Sequence, residues 1–392
     1  MAHVRTDGPA GRPATIPGLG RPLRPEEMVI NMGPQHPSTH GVLRLELVVD
    51  GEIVTDVVPH VGYLHRCFEK HAEQMAGYQQ VVPYCDRLDY IASMNMGLGY
   101  AVACERLLGI QVPERVEYIR VIMAELNRIA SHLIAIGTYG MDIGAFTPFL
   151  YCFRDRERIL DVFEQTCGAR LLYNYIWIGG LSHDVSVDFR DRVLAFCRDF
   201  RPTVREVNDL LSYNKIFIER TANVGVLPAE VAVNYGVSGP VLRGSGVAWD
   251  LRRHDPYSVY DRFEWDIPVG DGRMGTVGDC WDRYMLRVRE MEQSLRIVEQ
   301  AAEGLPAGDV QSAVPKRIRP APGDIYVRTE APKGELGYYI VSDGTASPAR
   351  VKVKSPCFVN LSALPAMCRG AMVADVVAVL GSLDIVLGEI DR

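Results

Sequence analysis

No two cysteines in this 392-residue chain stand two or three positions apart. Nine of them are scattered from Cys67 to Cys368, whereas zinc ribbons and iron–sulfur sites draw on close pairs, so this chain is expected to ligate no cluster of its own. An odd number of thiols without a secretory leader suits a reducing compartment. Residues 1–26 lack the apolar core of such a leader, and no run reaches the roughly 18 uninterrupted apolar residues of a membrane span. Any membrane contact is therefore expected to go through partners. Dense Lys/Arg runs are missing too, and the net charge is −7, which argues against nucleic acid. The glycines at Gly179, Gly180, Gly244 and Gly246 build neither a phosphate loop nor a strand-coupled G-x-G-x-x-G, so no nucleotide site is expected here.

What the chain does have is an ordinary globular composition, 47% hydrophobic and 23% charged, enough for one large core. After a Gly-, Pro- and Arg-rich tail over 1–27 comes a segment, 28–66, with a strand, a turn holding His36 and His40, and two alternating runs on either side of Asp50-Gly51. That pair tolerates the positive φ of a tight turn, so a β-hairpin is predicted. A helical core is expected over 67–305, including helices at Phe68–Gln80, Arg87–Leu108 and Pro113–Gly137. The last shows Val116, Ile119, Met123, Leu126, Ala130, Leu133 and Ile134 at three- and four-residue steps. Within this core, 224–268 reads as loops with short strands. A proline-bearing linker over 306–323 leads to a small C-terminal β-unit and an apolar terminal helix over 324–392. The fold class is thus α+β.

Five residues stand out chemically, each with a plainer alternative. His40 and His36 are four apart, but the intervening Pro37 favours a stiff hydrogen-bonded turn over a helical metal site. Tyr90, in Asp86-Arg-Leu-Asp-Tyr90, is either functional or a core or interface tyrosine with its hydroxyl paired. Asp142, between apolar residues just past a helix, is either a helix cap or a buried charge needing a partner. Arg66, beyond the hairpin, is either a site residue or a solvated charge.

Longer motifs carry a family resemblance. Gly-Pro-Gln-His-Pro-Ser-Thr-His-Gly-Val over 33–42, Gly-Tyr-Leu-His-Arg over 62–66, Asp-Arg-Leu-Asp-Tyr over 86–90, Arg-Ile-Ala-Ser-His over 128–132, Thr-Pro-Phe over 147–149, Lys-Gly-Glu-Leu-Gly over 333–337 and Gly-Glu-Ile-Asp-Arg over 388–392 resemble the 49-kilodalton-type (D) subunits of respiratory complex I. That family in turn resembles the large subunit of nickel–iron hydrogenases, which grip their metal with an early and a late Cys-x-x-Cys. Here Asp89 and Ala92 stand in the early cysteine places, and Val386 and Glu389 in the late ones. Nickel in such a site needs soft thiolates, so these four residues speak against an active hydrogenase.

The resemblance implies a helical core of hydrogenase large-subunit type whose emptied cavity takes a quinone head group, ubiquinone or menaquinone. It implies that His40 and Tyr90 grip the quinone, that Asp142 bonds His40, and that Arg66 lies near a 4Fe-4S cluster held by the neighbouring B-type subunit. The C-type and I-type subunits and the membrane subunits of H and A type are the other implied partners. NAD(H) is implied on a separate module, and the place is peripheral, on the cytoplasmic side of the cell membrane. The rival reading is a non-catalytic scaffold of a hydrogenase-related membrane complex. Many relatives carry a histidine linked to proton-coupled cluster reduction where this chain has Leu172, and an arginine where it has Trp177. A lower, pH-insensitive cluster potential and a low-potential quinone are therefore expected.

Overall fold

The computed structural model describes residues 21–34 and 41–392. His36 and His40 lie outside the described residues. The Asp50-Gly51 hairpin forms as predicted, with Gly51 at φ 61° joining strands Arg44–Asp50 and Ile53–His60. A third strand, Met28–Met32, pairs antiparallel on the other side, Met28 opposite Val49. The hairpin is tied to the far end of the chain, because Val54 exchanges backbone hydrogen bonds with Gly370 and Ala371.

At the centre runs the helix Glu114–Asp142. Pro113 occupies its N-cap position, and Glu114 and Glu117 in the first turn complement the helix dipole. The helix extends beyond the predicted Gly137 and is buried on nearly every side, not along one stripe. It packs against helices Phe146–Cys167 and Cys280–Glu303. Its polar residues Arg120, Glu125, Arg128 and His132 are therefore buried as well and must be paired. The helix predicted from Arg87 begins only at Ser93, because Asp89 Oδ1 accepts the amides of Ile91 and Ala92 at 3.1 and 3.3 Å and holds the chain in turns. The helix predicted to reach Gln80 stops at Gln74. No strand forms in 224–268. Short helices Ala229–Asn234, Gly239–Gly244 and Leu251–His254 stand there instead.

The C-terminal β-unit is a three-stranded antiparallel sheet, Gly323–Ala331, Gly334–Ser342 and Arg350–Lys354. The turn between its first two strands is not a surface turn. It is driven into the helical core, where a side chain on Gly334 would meet Ser238, and one on Gly239 would meet the Gly334 backbone. Helices Pro356–Ser362, Val373–Leu383 and Leu387–Asp391 complete an α+β chain. Among the described residues, no helix is long and apolar enough to cross a membrane.

Candidate functional site

Three segments far apart in sequence converge at Gly388. The amides of Gly62 and Leu64 donate to the Asp391 carboxylate at 2.8 and 2.6 Å, and the Arg66 amide donates to the carbonyl of Arg392 at 3.1 Å. The chain end is thereby clamped to 62–66. Arg66 is exposed but not merely solvated, since its Nη2 donates to the carbonyls of Arg87 and Gly388. The Tyr90 ring packs on Gly388: a Cβ built there would stand 3.0 Å from Tyr90 Cε1, 2.8 Å from Arg66 Nη2 and 2.5 Å from the Leu88 carbonyl. Tyr90 is half-buried. Burial and the adjacent Asp89 carboxylate push its hydroxyl pKa up against the pull of Lys333 and Arg66, so it stays a neutral donor at physiological pH.

Behind Tyr90, on the protein side, sits a dry cluster. Lys333, carried in by the inserted hairpin turn, places Nζ 3.1 Å from Asp89 Oδ2, 3.7 Å from Asp384 Oδ2 and 2.8 Å from Ser131 Oγ. Burial opposes its ammonium form, but Asp384 and Asp89 outweigh that and its pKa rises. Arg287 Nε approaches Asp384 at 3.8 Å. Glu389, fully buried, accepts the Cys357 amide at 3.2 Å on Oε1, while its Oε2 has no partner. Burial, reinforced by Asp89, pushes its carboxyl up to about 8. Of the four residues in the cysteine places, Asp89 pairs with the buried ammonium of Lys333, while Glu389 makes no ion pair with it. The other two, Ala92 and Val386, offer no donor side chain. Among the described residues, no group of three or more His, Cys, Asp or Glu side chains is arranged for a metal ion.

Further into the core the polar seam continues as an arginine–carboxylate lattice. Arg243 bonds Glu290 at 2.7 Å and Glu330 at 2.8 Å and approaches Asp250 at 3.3 Å. Arg252 bonds Asp250 and Glu125, and His132 Nε2 lies 2.9 Å from Glu290. Burial lowers the His132 pKa despite that carboxylate, while Arg243 overcomes the burial of Glu290 and holds it low. His132 is therefore read as neutral, because Arg243 already supplies the charge that Glu290 needs.

The structure thus brings Tyr90 and Arg66 together. Asp142 is the half-buried last residue of the central helix, and the expectation that it caps a helix fails: Pro113 and Ile143 are that helix's caps, and Ala145 precedes the next. A carboxylate at a C-terminus also opposes the dipole. Its expected partner His40 is outside the described residues. Reading the sequence missed Lys333, Asp384 and Arg287. A lysine in a Lys-Gly turn ordinarily marks a solvated loop, and only the burial of that turn gives it a role.

The family described as the 49-kilodalton subunit of respiratory-chain NADH dehydrogenase matches this chain over residues 142–321 and 312–392. The D subunit of NADH-quinone oxidoreductase from Chlorobium phaeovibrioides is 57% identical over 382 residues, 96% of this chain and 95% of the relative. Those of Chlorobium luteolum and Chlorobaculum tepidum are each 58% identical over 378 residues, covering 95% of this chain and 95% and 94% of the relatives.

Proposed function

The chain belongs to the 49-kilodalton (D) family of NADH-quinone oxidoreductase subunits, and on that footing we propose that it holds the quinone head group while it is reduced. Reduction to the quinol takes two electrons and two protons. Tyr90 donates a hydrogen bond to one carbonyl oxygen and His40 to the other, and each delivers a proton as negative charge develops on the ring. Asp142 stabilises the imidazolium of His40 and loses that partner once the proton has gone, a charge change that triggers proton pumping in the membrane subunits.

Electrons come from the 4Fe-4S cluster of the neighbouring B-type subunit, beside Arg66. NAD(H) reacts on another module. The C-type and I-type subunits and the membrane subunits of H and A type complete the surroundings, with this chain peripheral on the cytoplasmic face of the membrane. The close packing of 88–90 on 388–389 supports descent of the cavity from a hydrogenase-type metal pocket, since the two degenerate cysteine motifs still meet.

The observation that carries this reading is the neutral Tyr90 hydroxyl on the edge of a dry, charged cluster, next to an arginine whose guanidinium is anchored by backbone carbonyls. The test is Tyr90→Phe in the assembled complex. Loss of quinone reductase activity on the order of 10²-fold with normal assembly is expected, whereas full activity would reduce this chain to a scaffold.

A further inference from the structure

We propose that Asn127 and Lys333 are positioning residues for Tyr90, holding from the core the turn that carries its hydroxyl. This rests on the quinone-site reading above and extends it to two side chains that touch no substrate. No hydrogen bond from the described residues reaches the Tyr90 hydroxyl, so its place is set by the ring contact on Gly388 and by the backbone beneath it. That backbone is not regular structure. Residues 86–92 run in turns and bends up to the helix Ser93–Leu108, and such a segment keeps one shape only where its amides and carbonyls are held.

The local sequence leaves this helix start uncapped. Ala92 is the N-cap residue and has no side chain to accept an amide, where Ser, Thr, Asp or Asn is usual. The missing acceptor comes from the central helix. Asn127 Oδ1 accepts the Met94 amide at 3.0 Å, and its Nδ2 donates to the Ile91 carbonyl at 3.1 Å. One fully buried, uncharged side chain thus grips the chain at 91 and again at 94.

Lys333 fixes the side nearer Tyr90. Asp89 accepts the amides of Ile91 and Ala92 on Oδ1 and meets Lys333 Nζ on Oδ2 at 3.1 Å. The same ammonium donates to Ser131 Oγ at 2.8 Å. Ser131 follows Asn127 by four residues on the central helix, and therefore on the same face, so both holds start from one rigid element. Lys333 also lies 3.7 Å from Asp384, four residues before the Gly388 on which the Tyr90 ring packs. The turn and the segment its ring rests on are in this way tied to one ammonium. Neither Asn127 nor Lys333 hydrogen-bonds the phenol, so losing either displaces the donor without removing it.

The test sets Asn127→Leu and Lys333→Met, each alone and each combined with Tyr90→Phe, in the assembled complex, with quinone reductase rates normalised to the amount assembled. Each single variant should lower kcat by up to about 10²-fold, with the KM for a short-chain quinone within about twofold. Added to Tyr90→Phe, where no proton donor is left to misplace, each should change kcat by less than about twofold. Wild-type kcat in Asn127→Leu overturns the proposal. An equal loss with and without Tyr90→Phe also overturns it, since that is what a merely structural role gives. Lys333→Met leaves two buried carboxylates one cation short; should it fail to assemble, the uncharged Asn127→Leu and Asn127→Ala decide. Full activity in Tyr90→Phe alone would instead overturn the quinone-site reading, and this inference with it.

Discussion

Tyr90 packs on Gly388 so closely that a methyl group there would stand 3.0 Å from its ring and 2.5 Å from the carbonyl oxygen of Leu88. The ring can yield but the backbone carbonyl cannot, since Leu88 is itself buried. Gly388→Ala is therefore expected to displace Tyr90 or the chain end. A misplacement of about an ångström at a proton donor costs up to about 10²-fold in rate. Quinone reductase kinetics on the assembled variant check this, with kcat falling more than the amount of assembled complex. An unchanged kcat would show that the tyrosine position is irrelevant.

His40 and Tyr90 should be separable. Tyr90→Phe removes a proton donor but keeps the ring on Gly388, so kcat falls and KM for a short-chain quinone changes little. His40→Ala removes a donor and the proposed partner of Asp142, so both rate and coupled proton translocation fall, on the order of 10²-fold for the rate. Parallel measurement of reductase and pumping activity in membranes decides it. Equal, undiminished activity in both variants would move the quinone elsewhere.

Arg243 serves three carboxylates, Glu290, Glu330 and Asp250, with no solvent contact. Arg243→Met leaves those acids in a dry interior with one cation fewer, which costs roughly 3–5 kcal/mol. The expected outcome is a chain that fails to accumulate in the complex. Glu330→Gln, which removes a negative charge from the same lattice, should be milder. Immunodetection of the assembled chain in the two variants tests the order.

Asp86 is buried, and that burial pushes its carboxyl up to about 7 although the Asn174 amide donates to it at 2.6 Å. The folded protein therefore holds this proton more tightly than the unfolded chain, and the stability contributed falls as pH rises from about 4 towards about 7. Asp86→Asn keeps a carbonyl oxygen for the amide and has nothing to ionise. Melting of wild type and variant at about pH 5 and about pH 8 should show a smaller drop for the variant. Parallel drops would assign the slope to other groups.

Leu172 sits in the loop before the short Ile176–Trp177 strand with φ 56° and cannot titrate. If, as proposed, a 4Fe-4S cluster of a B-type subunit lies beside this chain, its midpoint potential is expected to be flat with pH, and Leu172→His should introduce a slope of up to about 59 mV per pH unit. A steep slope in the wild type would dispose of that reading.

Local chemistry made part of this protein legible from its residues alone. The Asp50-Gly51 hairpin, the central helix and the C-terminal β-unit were readable because turn residues and periodicity act over a few positions. The motif at 86–90 pointed to Tyr90 because it is contiguous. Burial was not readable in the same way. The side chain of Asp89 takes two amides that a helix from Arg87 would have used, and the central helix is enclosed on the faces that carry its polar residues.

The sequence determined which residues were available: a hairpin, a tyrosine beside an aspartate, and four non-cysteine residues where thiolates would hold nickel. Only the tertiary structure decided that a Lys-Gly turn enters the core and that the last five residues close on 62–66 and 88–90. It also decided that Glu389 becomes a third carboxyl beside two matched ion pairs. The reason is physical: a charge acquires its meaning from the dielectric and the counter-charges around it, and those come from segments some 300 residues apart, such as Asp89 and Glu389.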